Sequence, residues 1–216
     1  MGFVHLHVHS QYSFLDGASS LDKLLEKAAN LDMLALAITD HDRLTGAIRF
    51  YDKAKAMGIK PIIGAEVTME GGYHLTLLCK NIKGYSNLCQ LLTQAHLSNR
   101  NIKAEASLET LSKHSDGLIC LSGCDRGELP TLCTKGYAEK AREAAHFYRE
   151  LFGNDFFVEL IHYPSRDGMT SSRMIADFAK EEGLPIIATN NVHYAEMEEY
   201  RIKELLNAID QNIPVA

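Results

Sequence analysis

The sequence predicts an α/β fold built on a mainly parallel sheet, either open or closed into a barrel. Three observations carry that expectation. Apolar runs of strand character alternate with amphipathic helical segments along almost the whole chain. Polar residues suited to chemistry gather at the C-terminal ends of those runs. No Pro/Gly/Ser-rich linker, repeat or low-complexity stretch divides the sequence, so one domain over residues 1–216 is expected.

The elements follow in order. Phe3 to Val8 reads as a strand, and Leu21, Leu24, Leu25, Ala28 and Leu31 recur at helical spacing behind a Ser19-Ser20 cap signal. Leu34 to Ile38 is a second strand, followed by a helix over Leu44 to Met57 that Gly58 stops. Pro61 to Met69 is a third strand, and Gly71-Gly72 turns the chain into Tyr73 to Cys79. Helical patterns at Tyr85 to Leu97 and Leu108 to His114 precede a strand at Leu118 to Ser122. A long helix over Tyr137 to Phe152 leads to the last strands, Phe156 to Ile161 and Ile186 to Thr189, with a helix near Thr170 to Glu182 between them. Glu196 to Asp210 closes the chain as a helix, giving seven strands in all.

Composition narrows the function classes. With 46% hydrophobic and 23% charged residues, the 216-residue chain has the balance of an ordinary globular protein with a full core. No apolar run approaches the about 18 residues of a membrane span, and the N-terminus lacks the pattern of a signal peptide. Five cysteines, with no CxxC pair, fit reduced thiols in the cytoplasm. The formal charge of −6 argues against tight autonomous nucleic-acid binding, although bound divalent cations would make one pocket positive.

The strand ends carry His5-Leu6-His7-Val8-His9, Thr39-Asp40-His41-Asp42, Gly64-Ala65-Glu66, Ser122-Gly123, Glu159-Leu160-Ile161-His162 and Thr189-Asn190-Asn191-Val192-His193. His74 opens the segment after the glycine turn. Alternation along a strand lets His5, His7 and His9 face one way, and charging them together is costly. A cation removes the conflict by taking neutral imidazoles as ligands, and His7 with His9 is the strongest pair. Asp40 reads equally well as a turn or cap residue and as a ligand, Asp16 before Gly17 reads as a turn residue, and Cys124 as a buried thiol. Glu66 stands in an apolar strand, where a carboxylate must be exposed, paired or metal-bound. His96, His114 and His146 lie in helical patterns and read as surface or packing residues. The mixed His, Asp, Glu and Cys set suits zinc or manganese, and it is too large for one four-coordinate ion.

These residues carry a resemblance. His5-Leu6-His7-Val8-His9-Ser10 with Tyr12-Ser13-Phe14-Leu15-Asp16-Gly17-Ala18 resembles the opening of the PHP domain of bacterial C-family DNA polymerases, the polymerase III alpha subunits and their error-prone relatives. The likeness continues through Leu36-Ala37-Ile38-Thr39-Asp40-His41, Gly58 to Glu66, His74 to Leu78, Leu121-Ser122-Gly123-Cys124 and Ala188 to Tyr194. It implies a distorted TIM-like barrel of seven β/α units, found at the N-terminal part of a longer polymerase. It also implies a cluster of two or three divalent metals, zinc, manganese or iron, on His7, His9, Asp16, His41, Glu66, His74, Cys124, Asn191 and His193. The family pattern has aspartate where this chain has Asn191, which weakens one metal seat.

The activity implied is hydrolysis of DNA from its 3′ end, 3′→5′ exonuclease proofreading beside the remainder of the polymerase chain. The alternatives are a catalytically impaired docking domain, which Asn191 favours, and a free-standing phosphatase of the histidinol-phosphatase type. Polymerisation itself is not expected of these 216 residues, which are too few for a palm domain and whose one tight acidic pair near a motif is Asp40 with Asp42.

Overall fold

A computed structural model describes residues 2–98, 104–163 and 165–214. The chain packs as two compact units, Met1–Ala65 with Asn190–Ala216, and Glu66–Thr189.

In the first unit, helix α1 (Leu21–Asn30) begins where the Ser20 side chain accepts a hydrogen bond from the Lys23 amide, a cap that satisfies one orphan donor. Its Leu21, Leu24, Leu25 and Ala28 form a buried stripe, whereas Leu31, the fifth residue of the predicted spacing, caps the helix and is exposed. Strand β1 (Ala35–Ile38) is buried along its whole length and pairs in parallel with β2 (Lys60–Thr68), Ala35 facing Lys60 and Ile38 facing Ile63. Helix α2 (Ala47–Ala56) connects them and buries Phe50 and Ala54. Val8, Leu25, Ile38, Phe50 and Ile59 belong to one apolar cluster, so the core lies directly beneath the segment that bears the histidines. Helix α8 (Tyr200–Gln211) follows a short 3-10 turn and starts later than the sequence pattern suggests.

The expected first strand is not formed as one. Residues 3–8 hold no regular strand and bend at His7, because the backbone hydrogen bonds divide between two neighbours and no continuous ladder develops. Ala37 N–H donates to His5 O at 3.0 Å and Thr39 N–H to Val8 O at 2.8 Å on one side. On the other, Val192 N–H donates to His7 O at 2.9 Å and His9 N–H to Val192 O at 2.7 Å, leaving Val8–Val192 as an isolated parallel bridge. Six strands, not seven, are therefore present among the described residues.

In the second unit, the end of β2 turns through Gly71-Gly72 into β3 (His74–Cys79), and the Met69 N–H closes the turn on Tyr73 O at 2.7 Å. β3 runs antiparallel to β4 (Leu118–Leu121), which pairs in parallel with β5 (Phe156–Ile161), and β5 in turn with β6 (Ile186–Thr189). Helices α3 (Ile82–Ser98), α4 (Leu108–Lys113), α6 (Ala138–Phe152) and α7 (Arg166–Glu181) lie where helical periodicity places them. Helix α5 (Glu128–Thr134) is additional, with Pro130 in its first turn, where no amide donor is needed. The α/β class expected from the alternation is the class observed.

Candidate metal centre

The first unit builds a cluster from four stretches of chain. His7 and His9 come from the N-terminal segment, Asp16 from the following loop, His41 from the end of β1, and Asn191 with His193 from the stretch after β6. The loop reaches the histidines because Gly17 packs against the chain: a Cβ there would lie 1.9 Å from Ser10 O. His7 and His9 are fully buried with ring centroids 5.0 Å apart, and His9 stacks on His41 at 4.5 Å and on His193 at 4.6 Å.

Three ring nitrogens converge on one carboxylate oxygen. Asp16 Oδ2 lies 3.0 Å from His193 Nε2, 3.2 Å from His41 Nε2 and 3.8 Å from His9 Nδ1. Burial alone raises the pKa of the Asp16 carboxyl. Hydrogen bonds from His193 and His41, with positive charge at His193 and His9, outweigh burial and hold it well below the usual carboxylate range. Its other oxygen, Oδ1, takes the Lys203 ammonium from α8.

The proton positions decide what this arrangement suits. His193 Nδ1 donates to the Asn191 backbone carbonyl at 2.8 Å, an acceptor that cannot donate, so a neutral His193 aims its Nε2 lone pair at Asp16 Oδ2. Ser13 Oγ donates to Asp40 Oδ1 at 2.8 Å, so towards His9 Nδ1, 3.0 Å away, it acts as acceptor. His9 thereby carries its proton on Nδ1 and directs the Nε2 lone pair at Asn191 Oδ1, 3.0 Å distant. An imidazole lone pair facing an oxygen is repulsive unless a proton or cation lies between them. At His9 an amide rotation also relieves it; at His193 no such rotation exists. Imidazoles with their tautomers fixed from behind and a carboxylate in front form a donor set that fits a divalent cation.

Asp40 is not part of that donor set. Burial raises its pKa, opposed by hydrogen bonds from the Ser10 N–H at 2.7 Å, from the Ser10 hydroxyl and from the Ser13 hydroxyl. Ser13 Oγ also accepts the His41 N–H at 3.1 Å, so one buried carboxylate fixes two imidazole-bearing segments through two serines.

The second unit brings together Glu66, His74 and Cys124. His74 Nδ1 lies 3.0 Å from Glu66 Oε1, and Cys124 Sγ lies 3.2 Å from that oxygen and 3.8 Å from His74 Nδ1. Gly123 makes the approach possible: its φ is +84°, and a Cβ there would stand 2.2 Å from His74 O. Burial, then the Glu66 charge, pushes the Cys124 thiol far up, so without a cation this site keeps its sulfur protonated. A thiolate, an imidazole and a carboxylate within reach of one point also suit a divalent cation.

Some residues at strand ends stay outside both clusters. His5 packs edge-on against Phe3 at 4.9 Å between ring centroids and faces a groove lined by Leu24, Lys27 and Leu36, where burial lowers its pKa. His162 is exposed. His96 and His146 are exposed and His114 is buried beside Gln94, the surface and packing roles read for them from sequence. Sequence reasoning missed Lys203, whose position in a polar helix carries no signal, and Ser10 and Ser13, whose work is to orient the histidines.

Beside Cys124 opens a cleft of about 350 Å³, with Glu159 in its wall. Glu159 is 2% exposed and accepts from Thr189 Oγ1 at 2.5 Å and Thr76 Oγ1 at 3.3 Å.

Residues 5–163 match the family described as PHP domain. An error-prone DNA polymerase of Symbiobacterium thermophilum is 44% identical over 97% of this chain and 21% of its own length. The DNA polymerase III subunit alpha of Treponema pallidum is 40% identical over 97% of this chain and 19% of its own. The chain thus spans about a fifth of the length of these relatives. A Bifidobacterium adolescentis protein, described as a candidate metal-dependent phosphoesterase, superposes with a TM-score of 0.60 at 11% identity over 94% of this chain and 96% of that one, which shows the fold alone. Among the described residues no helix is long and apolar enough to cross a membrane. By its matched sequence, its fold and its histidine-bearing segments, the chain belongs to the PHP domain family.

Proposed function

We propose that the chain is a divalent-metal-dependent phosphoesterase that hydrolyses DNA from the 3′ end, as part of a C-family polymerase. One observation carries the reading: His193 Nε2 and His41 Nε2 lie 3.0 and 3.2 Å from the single oxygen Asp16 Oδ2, with the Asn191 carbonyl holding a His193 proton on Nδ1 and leaving Nε2 for that face. His9, His41, His193 and Asp16, with His7 and Asn191 beside them, would hold cation in the first unit, and Glu66, His74 and Cys124 in the second. Bound divalent cations of this kind lower the pKa of water and neutralise charge on phosphoryl oxygens.

The chain's own residues supply position and polarity. Ser13 and the Asn191 carbonyl keep the His9 and His193 protons on Nδ1, away from the ligating face. Lys203 balances Asp16 from the α8 side. In the reaction, water adds its oxygen to phosphorus, the bond to the 3′ oxygen of the penultimate nucleotide breaks, and that oxygen leaves with a proton. The products are a nucleoside 5′-monophosphate and a strand one residue shorter.

A 3′-labelled primer incubated with the chain should shorten in manganese or zinc and stay intact with excess chelator. A metal-loaded chain that leaves the primer intact contradicts the reading. Asn191 and the net charge of −6 favour a second reading, a docking domain for the remainder of a polymerase chain, which predicts that inert outcome.

A further inference from the structure

The cleft beside Cys124 differs chemically from both metal clusters. Its volume of about 350 Å³ falls at the small end of the range for ligand pockets, enough for one nucleoside. Glu159, Asp125 and Asp167 line it, and no lysine, arginine or histidine is among its described lining residues. Such a wall repels phosphate, so the cleft is no backbone track. It offers acceptors to a neutral ligand rich in donors.

The remaining lining completes that description. Tyr163 contributes an aromatic ring, and Ile161, Ile175 and Pro130 give apolar surface for the flat face of a base. Thr134 and Ser171 carry hydroxyls that donate or accept, as base edges and sugar oxygens require. The walls are held in place. Ser172 Oγ joins α7 to β5 by donating to Ile161 O at 2.7 Å, and Thr189 and Thr76 orient the Glu159 carboxylate.

We propose that this cleft receives the terminal nucleoside of the DNA strand, its base beside Tyr163 and its sugar towards Glu159, with the phosphate left at the Cys124 end. The proposal rests on the phosphoesterase reading for its choice of ligand but not for its test. Thymidine, which has no phosphate to hydrolyse, should bind the 216-residue chain in the presence of chelator and shift the NMR resonances of Ser171 and Ile175. Ser171→Trp, which fills the cleft, and Tyr163→Ala, which removes the ring, should each weaken thymidine binding at least tenfold. In manganese, thymidine 5′-monophosphate p-nitrophenyl ester should be cleaved faster than bis(p-nitrophenyl) phosphate, and both variants should lower that ratio at least tenfold.

Thymidine binding at the cleft without cleavage of either ester supports the pocket and removes the phosphoesterase reading. Absence of thymidine binding, or binding unaffected by both variants while they keep wild-type melting temperatures, overturns the pocket even if both esters are cleaved. Should Ser171→Trp fail to fold, Tyr163→Ala decides alone.

Discussion

Ser13→Ala tests the orienting network most severely, because one oxygen serves three partners. The hydroxyl donates to Asp40 Oδ1 at 2.8 Å and accepts from His9 Nδ1 at 3.0 Å and the His41 N–H at 3.1 Å. Ser13, His9 and Asp40 are all buried, so water replaces the lost oxygen poorly. A buried donor left unsatisfied costs about 1–3 kcal/mol, so loss of the His9 contact alone lowers the stability of the metal-free chain by roughly that amount. Releasing His9 from its fixed tautomer should also weaken manganese or zinc binding by roughly 10–100-fold, the usual effect of removing a partner behind a ligand. Urea unfolding in chelator measures the first quantity, and competition with a chelating dye the second. If Ser13→Ala lost less than about 1 kcal/mol and bound metal like the parent chain, the network would not be orienting the site.

Three other perturbations address separate parts of the structure. Asn191→Asp keeps the left-handed backbone that the φ of +46° requires and adds a negative charge facing His9 Nε2, so metal affinity should rise at least about tenfold; unchanged affinity in the dye competition would place the cation elsewhere. Gly123→Ala forces a Cβ against His74 O at a φ of +84° and should cost at least about 2 kcal/mol in urea unfolding, with loss of the Cys124–His74 approach; a neutral substitution would contradict that geometry. His114 is buried and takes the Gln94 amide on Nε2 at 3.0 Å, and burial, with the charges of Lys113 and Lys83, lowers its pKa. The unfolded chain therefore binds a proton at His114 that the folded chain refuses, so stability present above the ordinary value of 6.5 is lost as pH falls below it. Melting temperatures from pH 7.5 to 5 should fall, and less so in His114→Gln; equal slopes would assign the titration to other groups.

The fold was legible wherever burial followed a single period. The α1 stripe of Leu21, Leu24, Leu25 and Ala28 and the four buried residues of β1 are cases where local pattern and packing agree. Residues 3–8 misled because alternating apolar and histidine residues look like a strand, whereas here the backbone groups divide between β1 and Val192. Helix α5 escaped notice because seven residues containing Pro130 show too little periodicity. In the site, sequence leaves Asp16 ambiguous because its placement depends on Gly17 pressing against Ser10, and leaves Asp40 equally a cap or a ligand because its role depends on two serines that the chain folds onto it. Lys203 was invisible because a lysine in an amphipathic helix is ordinarily solvated, and only tertiary packing brings it to Asp16.

The most direct measurement is anomalous diffraction at the manganese and zinc edges from crystals of the chain grown without chelator. A peak within bonding distance of Asp16 Oδ2, His193 Nε2 and a further imidazole nitrogen is the predicted result, and it should vanish in Asp16→Ala. Refined density with the metal present in the crystal at millimolar concentration, yet with no anomalous peak between those atoms, would contradict the account.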